Sequence, residues 1–190
     1  MTPELKNEID RLKRILESND LEFGLSEGAS TENIAEIERQ IGFTLDENLK
    51  DLWNFTNGSN HTSWFAVFSD EPTPCDFPSI EYAFEQWSAF VPYDNPVYEE
   101  YRLSEAERDE RIQPTLIHEF WFPFAEFNGF STSVLFDADP TDKGTYGQII
   151  VYQHDPDGVY YVAENFLAFF KKSNDSLEAN IREIFLLDLD

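Results

Sequence analysis

The 190-residue chain has little positive charge, a single cysteine and no long apolar run. Its 13 lysines and arginines stand against 38 aspartates and glutamates, which gives a formal net charge of -25. Phosphate backbones and anionic lipid headgroups repel so acidic a chain, so we expect it to bind neither nucleic acid nor a membrane surface. A protein partner with a basic surface would instead be attracted to it.

The scarcity of cysteine excludes further classes of protein. Cys75 stands alone, which rules out an intramolecular disulfide and a thiolate metal cluster. Residues 1–17 are charged and helix-patterned and lack the apolar core of a signal peptide. No apolar run approaches the ~20 residues that span a bilayer. We therefore expect a cytoplasmic protein, without a cofactor, that forms one domain over residues 1–190.

Aromatic residues are abundant, with 18 Phe, 8 Tyr and 4 Trp. Disordered chains combine high net charge with few aromatics, so the bulk of this chain is expected to fold. Each fully buried Phe contributes roughly 1.5–3 kcal/mol, so material for a sizeable core is present.

Apolar periodicity and capping residues predict helices near both chain ends. Thr2 and Pro3 begin the first helix, Ser30 or Thr31 precedes the second, which stops at Gly42, and a capping box over 44–47 predicts the third. The further predicted helices are Ile80–Phe90, Tyr98–Arg111, Ala163–Lys172 and one from Asp175.

Strand patterns fill the middle of the chain. Three prolines indicate that 70–78 is irregular, and Pro123 is expected to exclude its aromatic segment from a central strand. The predicted strands are 63–68, 131–136 and a hairpin pair, 147–153 and 159–162, around the turn at 155–158. This order predicts an α+β fold with an antiparallel or mixed sheet.

One motif has the spacing of a hydrolase nucleophile elbow. Gly24-Leu25-Ser26-Glu27-Gly28 matches G-x-S-x-G, whose chemistry requires a buried strand that ends at the serine and a helix that begins there. The preceding residues do not resemble a buried strand, and the next helix begins near Thr31. We interpret the motif as a glycine loop that leads to a helix cap, and a hydrolase using Ser26 is the least favoured function.

Two other segments resemble known sites only superficially. The stretch 137–144 alternates aspartates like a calcium loop, but Asp142 occupies the place of the required glycine and Gln148 that of the final glutamate. It is interpreted as an acidic turn. His154 beside Asp155 could be a base with an orienting carboxylate, but its place at a hairpin end favours an exposed turn histidine.

Several ordered motifs together resemble the SUKH superfamily, which includes yeast regulators of cell-wall assembly and glucan synthesis and many bacterial toxin-immunity proteins. They cover about residues 30–170: Ser30–Asp46, Leu52–Gly58, Trp121–Ala125, Leu135–Pro140, Gly147–Ile150 and Val162–Phe170. Asp46 departs from the family's usual proline, and the acidic tract over about 70–113 matches nothing distinctive.

The resemblance implies a curved, mostly antiparallel sheet flanked by helices at both chain ends, and no catalytic residues. It implies a non-enzymatic binding protein, for which we hypothesise an immunity protein against a cytoplasm-acting toxin, for example a nuclease. The alternative is a regulatory adaptor of cell-wall or glucan synthesis. It also implies scaffold roles for Gly42, Trp121, Pro123, Asp137, Pro140, Gly144 and Gly147.

Acidic side chains are the candidate contacts for the basic surface of a toxin domain. The first candidate patch is Glu99, Glu100, Glu105, Glu107, Asp109 and Glu110, and the second is Asp137, Asp139 and Asp142. The alternative interpretation is that these charges only keep the protein soluble.

Overall fold

The computed structural model of the chain describes residues 1–67, 72–90 and 109–185. These form five helices and six strands, with helices at both chain ends, which confirms the predicted α+β class. The helices are α1 (Pro3–Glu17), α2 (Thr31–Ile41), α3 (Glu47–Phe55), α4 (Ile80–Phe90) and α5 (Phe166–Ile184). The strands are β1 (Ser63–Val67), β2 (Thr73–Asp76), β3 (Trp121–Phe127), β4 (Thr132–Asp137), β5 (Gln148–Gln153) and β6 (Gly158–Ala163).

The predicted starts of α1 and α2 are confirmed, and that of α3 is wrong by two residues. The Thr2 and Ser30 side chains accept the N–H groups of Leu5 and Asn33. Helix α3 is capped by Asp46, whose carboxylate accepts two amide hydrogens of the first turn, rather than by Thr44. An aspartate serves as N-cap as well as a threonine does, so the capping-box spacing misplaced this boundary.

The six strands form one curled half-barrel sheet in the order β1-β2-β3-β4-β5-β6. Every neighbouring pair is antiparallel, and the predicted hairpin of β5 and β6 around residues 155–158 is confirmed. Chain order and sheet order coincide, so each strand lies beside the strand that precedes it in the sequence.

Both predictions that rested on proline inside a strand need correction. Pro74 lies in β2, so residues 73–76 are regular, and β3, which contains Pro123, lies inside the sheet. Strand β3 pairs with β2 only at Asp76 opposite Glu126. Near the prolines, the edges of β2 and β3 that face each other are therefore not paired. An unpaired edge does not need a backbone N–H donor, so proline is tolerated there.

Helix α5 continues through the break that the sequence predicts between Lys172 and Asp175, and its kink lies further along, at Asn180. It runs from Phe166 to Ile184, and the backbone of Asn180 (φ -129°) is non-helical at the kink between its two parts. Polar Ser173 and Asn174, which fall between the two predicted helices, are buried inside it. The Ser173 hydroxyl accepts the N–H of Ala66 in β1 at 2.9 Å, and the Asn174 amide donates to the carbonyl of Glu8 at 3.0 Å. Tertiary partners thus satisfy the side chains that would otherwise compete with the helix.

The main core lies between the five helices and one face of the sheet. Phe65 in β1 is fully buried at its centre. Five other phenylalanine rings lie within 6.4 Å of its ring, measured between centroids: Phe77, Phe124, Phe166, Phe169 and Phe170. Edge-to-face contacts dominate this group, the arrangement that aromatic quadrupoles favour.

A second, smaller cluster covers the opposite face of the sheet. On β4, Leu135 belongs to this cluster while its neighbours Val134 and Phe136 belong to the main core, so the strand is buried on both faces. Residues 109–119, which we name the covering segment, lie over this face through Ile112 and Leu116. The predicted helix Tyr98–Arg111 falls mostly outside the described residues, and its described end, 109–111, is a turn.

The contact between α5 and β1 provides a stability prediction. In Ser173→Ala, the buried N–H of Ala66 loses the hydroxyl oxygen that accepts its hydrogen bond. A buried unsatisfied amide costs about 1–3 kcal/mol, so the free energy of unfolding should fall by that amount. Urea denaturation followed by tryptophan fluorescence measures it.

Ser176, one turn further along α5, is the matched control. Its hydroxyl oxygen is buried and has no hydrogen-bond partner among the residues that the structure describes. Ser176→Ala should leave stability unchanged or raise it, because it removes a buried polar atom that gains nothing in the folded state. Equal losses for both variants would contradict the assigned role of Ser173.

Candidate binding surface

A row of three polar side chains crosses the sheet beneath the covering segment. Trp121, Asp137 and Gln148 are direct neighbours on β3, β4 and β5. Asp137 and Gln148 are fully buried. The Asp137 carboxylate accepts the indole N–H of Trp121 at 3.0 Å, the backbone N–H of Asp139 at 3.0 Å and the Gln148 side-chain amide at 2.8 Å. The scaffold role that the family resemblance implies for Asp137 agrees with these bonds.

Gln148 connects this row to the covering segment. Its side-chain N–H group also donates to the carbonyl of Arg111 at 3.0 Å, and its oxygen accepts the N–H of Thr145 at 3.2 Å. The same Arg111 carbonyl accepts the N–H of Thr141 at 3.1 Å. The covering segment and the turn between β4 and β5 are therefore held together by bonds that involve their backbones.

Arg111 fixes the covering segment through its side chain as well. Its guanidinium lies 3.3 Å from the centre of the Tyr161 ring on β6, a cation–π contact. It also donates to both oxygens of Asp109, at 2.8 and 2.6 Å. The side-chain hydrogen bonds from Arg111 hold the pKa of Asp109 below its usual value.

These contacts bring the described parts of the two candidate patches side by side. Glu110 and Asp142 are exposed, and the Asp139 side chain is 47% exposed while it accepts from His118 at 2.8 Å. We call Asp109, Glu110, Asp139 and Asp142 the acidic rim. Asp137 is 0% exposed and offers no surface to a partner, so its place in the second patch is corrected to a buried one. Glu99, Glu100, Glu105 and Glu107 lie outside the described residues.

Sequence reasoning missed the residues that assemble the rim. Arg111, His118 and Gln148 contact partners 21 to 37 positions away along the chain. No periodicity or short motif links such positions, because the pairing of β4 with β5 and the path of the covering segment bring them together. The only available signal was the scaffold role that the resemblance implied for Trp121 and Asp137.

The serine of the G-x-S-x-G motif lies in a loop without a preceding strand. The Ser26 N–H donates to the Thr56 hydroxyl at 2.9 Å. A Cβ at Gly24 would lie 2.3 Å from the Ser59 carbonyl oxygen, and one at Gly28 would lie 2.0 Å from that of Asn54. Close packing of the loop against the end of α3 therefore accounts for both glycines.

The remaining candidate residues occupy turns. In the stretch 137–144, the Asp137 carboxylate binds the Asp139 amide, as expected of an acidic turn. His154 is 65% exposed, and its Nδ1 lies 2.8 Å from a carboxylate oxygen of Asp157 rather than Asp155. Within residues 1–67, 72–90 and 109–185, no three His, Cys, Asp or Glu side chains are grouped so as to hold a metal ion.

The buried carboxylate of Asp137 predicts the effect of a single amide substitution. In Asp137→Asn, the new amide group would face the donating amide of Gln148, which cannot rotate without losing its bonds to Arg111 and Thr145. We expect a loss of about 1–3 kcal/mol in the free energy of unfolding at pH 7. Asp142→Asn, in the exposed part of the same turn, should stay within about 0.5 kcal/mol of the unchanged protein.

The stability difference between the unchanged protein and Asp137→Asn should depend on pH. Burial raises the pKa of Asp137 above its usual value of 3.8, although hydrogen bonds from Gln148, Asp139 and Trp121 oppose the shift. A raised pKa in the folded state adds stability below pH 3.8 that is lost as the pH rises through the folded-state pKa. The stability difference between the unchanged protein and Asp137→Asn should therefore grow on acidification. A stability difference that decreases on acidification would contradict the raised pKa of Asp137. Urea titrations from pH 7 to pH 3.5 measure it.

Comparison with known families adds an independent observation. The profile described as the SMI1 / KNR4 family (SUKH-1) matches residues 28–172. A search of curated proteins gave no significant match. No helix in the described part of the chain has both the length and the apolar character needed to cross a membrane. The family match runs from the loop before α2 into α5 and covers the candidate binding surface. Because it includes well over half of the sequence, the chain belongs to the SMI1 / KNR4 family (SUKH-1), a membership that fits an immunity or a regulatory protein.

Proposed function

We propose that this chain is a non-enzymatic immunity protein that binds and neutralises a bacterial toxin domain with a basic surface, acting in the cytoplasm. The observation that carries the proposal is the acidic rim, in which two separate stretches of sequence present Glu110, Asp139 and Asp142 on one surface. Family membership supports a protein partner at the coarser level.

The charge of the chain gives the reason for a basic partner. A net charge of -25 creates a field that attracts a cationic protein over distances of about one Debye length, roughly 10 Å at 0.1 M salt. Nucleases bind phosphates through lysine and arginine, so the active face of such a toxin would complement the rim. Occlusion of that face by a tightly bound acidic protein would block access of the nucleic acid.

A charge exchange on the rim tests the proposal. Glu110→Lys/Asp142→Lys should slow association with the cognate toxin domain by about tenfold at low salt, because it removes electrostatic steering. The salt dependence of the association rate should also become flatter. Stopped-flow fluorescence at several sodium chloride concentrations, with a catalytically inactivated toxin, measures both.

Glu22→Lys/Glu27→Lys is the matched control, since it changes the net charge equally. Both residues are exposed in the loop before α2, a loop that packs against the segment between α3 and β1 rather than beside the rim. The control should slow association less and should still protect cells that express the toxin. Equal slowing by the two double variants would mean that net charge alone acts and that the rim is not the interface.

The first acidic patch remains part of the proposal. Exchanging Glu99, Glu100, Glu105 and Glu107 for lysine should slow association with the same toxin domain and leave the fold intact, as judged by circular dichroism. Full protection of cells and an unchanged association rate would remove these four residues from the interface.

A second candidate function follows from the family itself. The matched profile carries the name of the SMI1 / KNR4 family, which supports a regulatory adaptor of cell-wall or glucan synthesis. Neutralisation of a toxin in cells distinguishes the two. If the chain binds the cognate toxin and protects cells from it, it is an immunity protein. If it does not protect, and if deletion of its gene alters the resistance of cells to cell-wall stress, the adaptor is favoured.

A further inference from the structure

An apolar groove opens on the sheet face beside the acidic rim. Its cavity measures about 60 Å³. It is formed by Trp87 at the end of α4, by Leu116 of the covering segment, and by Trp121, Leu135 and Tyr152 on three successive strands. A cavity of this size exceeds several-fold the space that one water molecule needs, so it has room for part of a side chain.

The polar groups around the groove are already engaged elsewhere. The Trp87 indole N–H donates to the carbonyl of Glu119 at 2.8 Å, and that of Trp121 donates to Asp137. The Ser133 hydroxyl donates to the carbonyl of Phe130 at 3.3 Å. These side chains therefore offer a ligand mainly apolar contact, which suits an aliphatic or aromatic side chain.

Carboxylates stand at two sides of the groove. His118, which lines it, contacts Asp139 at 2.8 Å, and Tyr152, which lines it from β5, donates to Asp157 at 2.8 Å. The two carboxylate side chains are 47% and 42% exposed, and the lining residues within 1–67, 72–90 and 109–185 include neither lysine nor arginine. A ligand that enters the groove would meet negative charge on both sides.

We propose that this groove receives one apolar side chain of the partner, carried on a segment with cationic residues next to it. The inference rests on the proposed function, because it describes how the basic toxin would be recognised. Side chains buried in pockets near the centre of an interface are a common source of affinity. The acidic rim would then direct the encounter, and the groove would determine how long the complex lasts.

Short peptides test the groove without the toxin. The probe is Ac-Arg-Leu-Arg-NH₂, and the comparison peptides are Ac-Arg-Gly-Arg-NH₂ and Ac-Glu-Leu-Glu-NH₂. The four tryptophan indole signals in ¹H–¹⁵N NMR spectra report the binding, since Trp87 and Trp121 line the groove while Trp53 and Trp64 lie in the main core. We expect the probe to shift the signals of Trp87 and Trp121 saturably and to leave those of Trp53 and Trp64 unchanged.

The comparison peptides separate apolar anchoring from charge attraction. Shifts of equal size with Ac-Arg-Gly-Arg-NH₂ would overturn the proposal, because the groove would then contribute nothing. Absence of saturable shifts with the leucine peptide would overturn it as well. Weaker binding of Ac-Glu-Leu-Glu-NH₂ would support the flanking role of the carboxylates.

Two sets of variants locate the binding. Ser133→Leu places an aliphatic side chain in the groove and should weaken binding of the probe at least tenfold, with folding checked by the Trp53 and Trp64 signals. Asp139→Asn/Asp157→Asn, which leaves the groove open, should weaken it about twofold to fivefold for each carboxylate. Glu22→Gln/Glu27→Gln, which removes two exposed charges in the loop before α2, is the control and should have a smaller effect. Unaltered binding by both Ser133→Leu and Asp139→Asn/Asp157→Asn would overturn the proposal.

The peptide experiments on the groove and the toxin experiments on the immunity function can fail independently of each other. Failure of the peptides with a normal response of toxin association to Glu110→Lys/Asp142→Lys would overturn the groove and retain the immunity function. Peptide binding at the groove by a chain that does not neutralise the toxin would support the groove and contradict the immunity function.

Discussion

The buried carboxylate of Asp137 is the interaction on which the candidate surface depends. It joins β3, β4 and β5 through one row of side chains, and Gln148 extends the row to the covering segment. A charge with no water around it is stable only when its hydrogen bonds are satisfied, and here three donors meet it. Burial of the charged carboxylate raises its pKa. The hydrogen bonds that it accepts fix the position of Gln148 and, through Gln148, that of the covering segment.

The two faces of the sheet serve different purposes because their packing differs. The helix side is filled by aromatic rings around Phe65, which provides most of the apolar burial. The opposite face has a smaller cluster, covered by a segment that is held through hydrogen bonds and one cation–π contact. A face of this kind leaves a groove and charged side chains accessible, as a binding surface requires.

Strand pairing and tertiary hydrogen bonds explain why two predictions from the sequence, on proline in strands and on the break in α5, were wrong. Proline was expected to exclude regular or central strands, yet Pro74 and Pro123 lie inside the sheet order because β2 and β3 pair at only one position. The sequence predicts a break between Lys172 and Asp175, yet β1 and α1 supply partners for Ser173 and Asn174, and α5 stays helical there. In each case, a residue distant in sequence determined whether a local preference applied.

The sequence was enough to predict the α+β class, the family, the N-caps Thr2 and Ser30, and the hairpin of β5 and β6, because these depend on contacts within a few residues or on ordered motifs. It also identified Trp121 and Asp137 as scaffold positions through the family resemblance. Three features could be known only from the folded chain: Asp137 is buried while Asp139 remains partly exposed, Arg111 reaches Tyr161, and the two acidic stretches meet. Those facts depend on the curl of the sheet and on the path of residues 109–119, which no local pattern encodes.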